Sequence, residues 1–138
     1  MSVEGPNGRA EVDCDRVILA TGSTPLVPGS FPYDGRVVIT TREALELDDL
    51  PPDVLIIGAG AVGCEFAGFY AALGVAVTLV EMLPEILPGE DASAARLLRT
   101  AMKKEGVDVR ADTKVESIEV DGGRATTTLS DGTSVETG

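Results

Sequence analysis

Residues 54–81 read VLIIGAGAVGCEFAGFYAALGVAVTLVE. An apolar run of strand length gives way to Gly58, Gly60 and Gly63 in G-x-G-x-x-G spacing. A small-residue stretch of helix length, a second apolar run (VAVTLV) and a terminal acid, Glu81, follow. Few folds accept that order, because each glycine removes a side chain where the backbone must turn or be approached closely. Gly58 suits the tight turn after the strand, Gly60 the approach of a pyrophosphate, and Gly63 close packing of helix on sheet. The expectation is a Rossmann-like βαβ unit in an α/β domain with a parallel sheet.

The free N–H groups and positive end of the helix beginning near Gly60 are a ready site for phosphate. Glu81 follows Gly63 by eighteen residues, where a carboxylate accepts hydrogen bonds from both hydroxyls of an adenine ribose. A 2′-phosphate would meet that negative charge, so the residues predict NAD rather than NADP. A glycine triplet alone is weak evidence in a chain with 16 glycines among 138 residues. Here both strands, the helix and the acid fall in register with it.

A formal charge of −12 with no His argues against nucleic acid or an anionic membrane surface as a partner, since broad phosphate contact needs basic stripes. The longest apolar stretch is interrupted by Glu65 and by turn glycines, which argues against a membrane span. Polar SVEGPNGR directly after Met1 does not read as a secretory or transit segment, so a cytoplasmic location is expected. Cys14 and Cys64 form no C-x-x-C pair and have no His to share a metal, so no metal site is expected. Each cysteine reads as a buried small hydrophobe, with a bridge between the two as the alternative.

Along the chain, RAEVDC (9–14) alternates like a strand, and RVILA (16–20) reads as an apolar strand ending at Thr21-Gly22-Ser23. Five of the eight prolines fall between 25 and 52, marking a crossing linker. Within it RVVIT (36–40) reads as a short strand. TREALEL (41–47) reads as a short helix capped by Thr40 or Thr41, with Glu43 in its first turn. The glycine helix is expected to pack through Val62, Phe66, Phe69, Tyr70 and Leu73 and to stop at Gly74. Asp91 caps a second helix, with Ala94, Leu97, Leu98, Ala101 and Met102 as its apolar side and Lys103 and Lys104 near its end. VDVR (107–110) is a third strand. VESIEV (115–120) and ATTTLS (125–130), with turns at Asp121-Gly122-Gly123 and Asp131-Gly132, read as an antiparallel meander.

VILATGSTPLVPG (17–29), followed by VLIIGAGAVGCEFAGFYAALGVAVTLVEMLPEILPGED (54–91), resembles the flavoprotein pyridine nucleotide-disulfide oxidoreductases, above all their dihydrolipoyl dehydrogenase branch. The resemblance covers nearly the whole chain. It implies that residues 1–50 are the end of an FAD-binding domain with its linker, and 51–138 an NAD-binding domain incomplete at its C-terminus. By the same resemblance Thr21, Gly22 and Ser23 match the second flavin motif, and Gly58, Ala59, Gly60, Ala61, Val62, Gly63, Cys64 and Glu65 match the NAD loop. Glu81 matches the ribose-binding acid, Glu65 a carboxylate near the nicotinamide, and Val115 a residue beside the adenine. Glu65 also has a plain reading, as a carboxylate stabilised by the helix dipole by about 0.3–1 kcal/mol. The retained Gly63, and the lack of Arg or Lys between Glu81 and Arg96, agree with NAD.

Such enzymes also carry an N-terminal flavin-binding glycine loop, a redox-active cysteine pair and a C-terminal His-Glu pair, none of which is read in this chain. The expectation is therefore an internal portion of a larger flavoenzyme, able to hold NAD without itself being catalytic. The resemblance further implies FAD in the parent, a homodimeric parent and a lipoyl-bearing acyltransferase complex as its partner. Two alternatives stay open. One is a portion of a mercuric or glutathione-type reductase, the other a stand-alone, non-catalytic NAD-binding module.

Overall fold

A computed structural model describes all residues 1–138. The chain enters as a hairpin in which β1 (Ser2–Gly5) and β2 (Gly8–Glu11) pair only with each other. Residues 16–20 do not continue it as the expected strand. They carry no ladder, and Ile18 and Leu19 are 91% and 84% exposed. A strand this apolar is stable only when both faces are covered, and here no neighbouring strand offers a partner.

The proline-rich passage is irregular but anchored. The Asp34 carboxylate accepts from the amides of Arg36, Val37 and Val38 at 2.9–3.0 Å. That turn uses the donors a strand at 36–40 would have needed, so the expected strand is absent. Helix α1 (Thr41–Ala44) is shorter than TREALEL suggested, and Thr40 is its cap. A capping box closes its start, with the Arg42 amide donating to Thr40 Oγ1 and the Thr40 amide donating to Glu43 Oε2 at 2.8 Å. The hydroxyl of Tyr70 then donates to the Ala44 carbonyl at 3.1 Å, tying this passage to the α/β region that follows.

That region is built on a parallel sheet. Strand β3 (Asp53–Ile57) leads into α2 (Ala61–Ala72), which returns to β4 (Ala76–Val80); α3 (Ala92–Lys104) returns to β5 (Asp108–Arg110). The sheet order is β3-β4-β5, with Ile56 opposite Leu79 and Leu79 opposite Val109. Alternate residues of a strand face opposite sides, and the two sides pack differently. Val77 and Leu79 join the helices in a core with Ala67, Tyr70, Ala95 and Met102, while Val80 packs with Val115 and Leu129. This second cluster lies under a meander of β6 (Val115–Asp121), β7 (Arg124–Leu129) and β8 (Ser134–Thr137). Gly122 and Gly123 both take positive φ in its first turn, as a tight two-residue hairpin requires.

The buried faces of both long helices differ from the periodicity reading. Helix α2 buries Cys64, Ala67 and Tyr70, whereas Val62, Phe69 and Leu73 are each about half exposed. Phe66 and Tyr70 do pack on the core as expected. A Cβ placed on Gly63 would stand 1.9 Å from the Gly58 carbonyl oxygen and 3.6 Å from Ile56, so the helix meets the sheet through Gly63 and the small residues Cys64 and Ala67. Helix α3 turns Ala95 and Met102 inward with Leu98 beside them, leaving Leu97 exposed.

Candidate dinucleotide site

The site forms where β3 and β4 end. The Gly58 amide extends the ladder, donating to the Val80 carbonyl at 2.8 Å. The chain then turns at φ +97°, a conformation natural to glycine. Gly60 caps α2 without any side-chain hydrogen bond, so the first-turn amides keep no partner within the helix. Nothing lies within 4 Å of where a Cβ on Gly60 would be. One glycine of the loop thus fits closely against the protein and another faces open space, which is the division a bound pyrophosphate requires.

Ala59, wholly buried, is held from both sides. Its amide donates to Glu81 Oε2 at 2.7 Å, and its carbonyl accepts from the Leu87 amide at 2.7 Å and from the Cys64 thiol at 3.4 Å. The other Glu81 oxygen accepts from the Leu83 amide at 2.9 Å. Glu81 is only 6% exposed, and its charge is met by these two amides. A carboxylate offers about four lone-pair sites, so two remain at the strand end.

Ala61, Val62, Gly63, Cys64 and Glu65 make up the first turns of α2, with Val62 and Glu65 exposed. Burial, and then the nearby charge of Glu81, push the Cys64 thiol pKa up. Such a thiol is a poor nucleophile. Both cysteines are free, so the bridge left open by the sequence is not formed; Cys64 is buried as expected, whereas Cys14 is exposed on the irregular passage and is not the buried hydrophobe expected. No cluster of three or more His, Cys, Asp or Glu stands ready for a metal, and no helix is long and apolar enough to cross a membrane.

The structure therefore gathers Gly58 to Glu65 and Glu81 at one place. Val115 is buried beside Val80, the residue before Glu81, and faces the small core. Thr21, Gly22 and Ser23 stand apart on the exposed passage, with Gly22 at φ +80°. A groove of about 830 Å3 runs from Gly58 and Gly60 to Phe31, Tyr33 and Leu47. Periodicity did not single out Leu83 and Leu87, which contribute through backbone amides.

The family model for the pyridine nucleotide-disulphide oxidoreductases matches residues 2–138. The chain belongs to this family. A dihydrolipoyl dehydrogenase from Chlorobaculum tepidum, 43% identical over 105 residues, aligns with 75% of the chain and 22% of its own length. Among solved structures, LpdA from Mycobacterium tuberculosis superposes with a TM-score of 0.79 at 34% identity, covering 99% of this chain and 30% of that one. A water-forming NADH oxidase from Lactobacillus brevis, bound to NADH, gives 0.74 at 25% identity, covering 96% and 31%. The chain spans about a quarter of the length of the curated family members it matches.

Proposed function

We propose that residues 51–138 are the NAD-binding domain of a dihydrolipoyl dehydrogenase-like flavoenzyme and that residues 1–50 belong to its flavin-binding side. The observation that carries this reading is the pairing of an open Gly60 with a buried Glu81 across the same loop. Gly60 leaves room for the pyrophosphate at the helix N-terminus, where amides and dipole favour it. Glu81, already fixed by Ala59 and Leu83, has lone pairs left for the two ribose hydroxyls. A 2′-phosphate would bring its charge against that carboxylate, so the domain selects NAD.

Bound nicotinamide supplies the hydride acceptor. The chain's own residues bind and orient it. Glu65, exposed at the start of the second turn of α2, would repel the pyrophosphate if turned toward it, and we assign it to the nicotinamide end. Thr21, Gly22 and Ser23 are assigned to the flavin side, and Val115 supports the adenine end from the core beneath. In the whole enzyme, electrons would pass from dihydrolipoamide through a protein disulfide and FAD to NAD. Its partner would then be a lipoyl-bearing acyltransferase complex, and the enzyme a homodimer. The relatives include both a dihydrolipoyl dehydrogenase and an NADH oxidase, which supports a shared nucleotide half more strongly than any one second substrate.

Calorimetric titration of the 138-residue chain tests the reading. NAD is expected to bind at least tenfold more tightly than NADP. Equal affinity, or no binding of NAD, overturns it. The chain has no His and no closely spaced cysteine pair, so alone it is expected to oxidise no dihydrolipoamide with or without added FAD.

A further inference from the structure

Leu87 takes a left-handed backbone conformation, φ +50°, that a leucine seldom adopts. Its surroundings show what holds it there. On one side Ile86 is buried in the helix-facing core, and on the other the chain leaves through Pro88 and Gly89. The Leu87 carbonyl accepts from the Glu90 amide at 3.1 Å, and its own amide reaches the Ala59 carbonyl at 2.7 Å. Its side chain closes a small cleft with Ala61, Cys64 and Leu98. Unfavourable conformations persist where the surroundings over-determine them, and they gather at functional sites.

The consequence for the loop follows from peptide geometry. In a planar trans peptide the carbonyl and the following N–H point in opposite directions. The Ala59 carbonyl is held toward Leu87 and the Cys64 thiol, so the Gly60 N–H is turned the other way, away from that packing. We propose that Leu87 is a positioning residue for nucleotide binding. Its left-handed backbone aims the Gly60 amide at the pyrophosphate, acting through the Ala59 carbonyl. This rests on the NAD-binding reading above and adds a residue outside the glycine motif to it.

Positioning through backbone conformation and filling of the cleft by a side chain predict opposite rankings of substitutions. Glycine enters the left-handed region freely and Asn tolerates it, whereas β-branched Val is an outlier there. The expected result for Leu87→Gly and Leu87→Asn is NAD affinity within about twofold of the unmodified chain, with an unmoved Gly60 amide resonance in the nucleotide-free protein. Leu87→Val keeps most of the apolar volume and is expected to weaken NAD about five- to tenfold and to shift that resonance. Should Leu87→Val not fold, the Gly and Asn variants decide, since a packing role requires both to bind poorly. Weaker binding by Leu87→Gly than by Leu87→Val, or a Gly60 resonance indifferent to Leu87→Val, overturns the proposal. If the unmodified chain binds no NAD, the functional reading fails, and the Gly60 resonance still reports whether Leu87 orients the loop.

Discussion

The Ala59 amide and the Glu81 carboxylate meet at 2.7 Å in the buried end of the sheet, and this bond also bears on Gly63. With the Ala59 N–H drawn toward Glu81, the Gly58 carbonyl on the same planar peptide must face the other way. It is that oxygen which would stand 1.9 Å from a Cβ on Gly63. The acid at the end of β4 and the third glycine of the motif thus address opposite ends of one peptide unit, eighteen residues apart in sequence. Their spacing reflects loop construction as well as the ligand chemistry proposed for them.

Replacing Glu81 is therefore expected to affect stability and binding together. Glu81→Ala leaves the Ala59 and Leu83 amides without acceptors. Thermal unfolding without nucleotide is expected to show a loss of about 1–3 kcal/mol, and calorimetry a comparable loss of NAD affinity with a narrower gap to NADP. Glu81→Gln presents one acceptor and one donor to two backbone donors, so it is expected to recover only part of either quantity. Full recovery of stability by Gln would show that one of the two hydrogen bonds carries no weight.

Two of the loop glycines are expected to separate stability from binding. Gly63→Ala drives a methyl into the Gly58 carbonyl and must displace backbone, an overpacking that costs about 1–3 kcal/mol. Gly60→Ala meets nothing within 4 Å at an ordinary φ of −70°. Its stability is expected to stay within about 0.5 kcal/mol, while the methyl stands in the phosphate's space and lowers NAD affinity about tenfold, ~1.4 kcal/mol. Paired melting curves and titrations of the two variants check the split. Equal melting temperatures for the two would contradict the packing geometry.

The elements legible in the sequence were those whose cause is local. The strand-glycine-helix order, the Asp91 cap, the stop at Gly74 and the Gly122-Gly123 hairpin all follow from backbone rules that neighbours do not override. Helix faces were less legible. Periodicity marks the apolar residues of α2 without showing that the helix meets the sheet through Gly63, Cys64 and Ala67, with Val62 and Phe69 left half exposed. RVILA and RVVIT have strand composition, but a strand is a paired object. One has no partner and the other gives its amides to Asp34. Glu81 was legible as an acid at the right distance, whereas its grip on Ala59 and Leu83 depends on three segments meeting.

Acid is expected to weaken the anchored passage, which keeps its full stability at neutral pH. Hydrogen bonds from the Thr40 hydroxyl, then from its amide, with a further one from the Tyr33 hydroxyl, lower the Glu43 pKa from 4.5 to about 2. A carboxylate with a depressed folded-state pKa contributes stability that is fully present above its unfolded value. That contribution is lost as pH falls through the folded one. The window is thus from about 4.5 down through about 2. Asp34, Asp91 and Asp131 are shifted in the same direction by backbone and hydroxyl donors and add to the slope. Denaturant midpoints measured across this range are expected to fall less steeply in Glu43→Gln than in the unmodified chain. Parallel curves would remove Glu43 from the account.

The two thiols are expected to differ sharply in reactivity. Cys14 is exposed, whereas Cys64 is buried beneath the first turn of α2 with its proton directed at the Ala59 carbonyl. The thiolate is the reactive form, and burial together with the charge of Glu81 disfavours it at Cys64. Reaction there must wait for the loop to open, so a thiol reagent at neutral pH is expected to modify Cys14 in a fast phase and Cys64 roughly 100-fold more slowly or only in denaturant. Saturating NAD is expected to slow the second phase further, because the ligand holds closed the loop that covers the sulfur. Modification of Cys14 should leave NAD titration unchanged. Two thiols of equal reactivity in the native chain would mean that α2 does not rest on the sheet as tightly as the Gly63 contact requires.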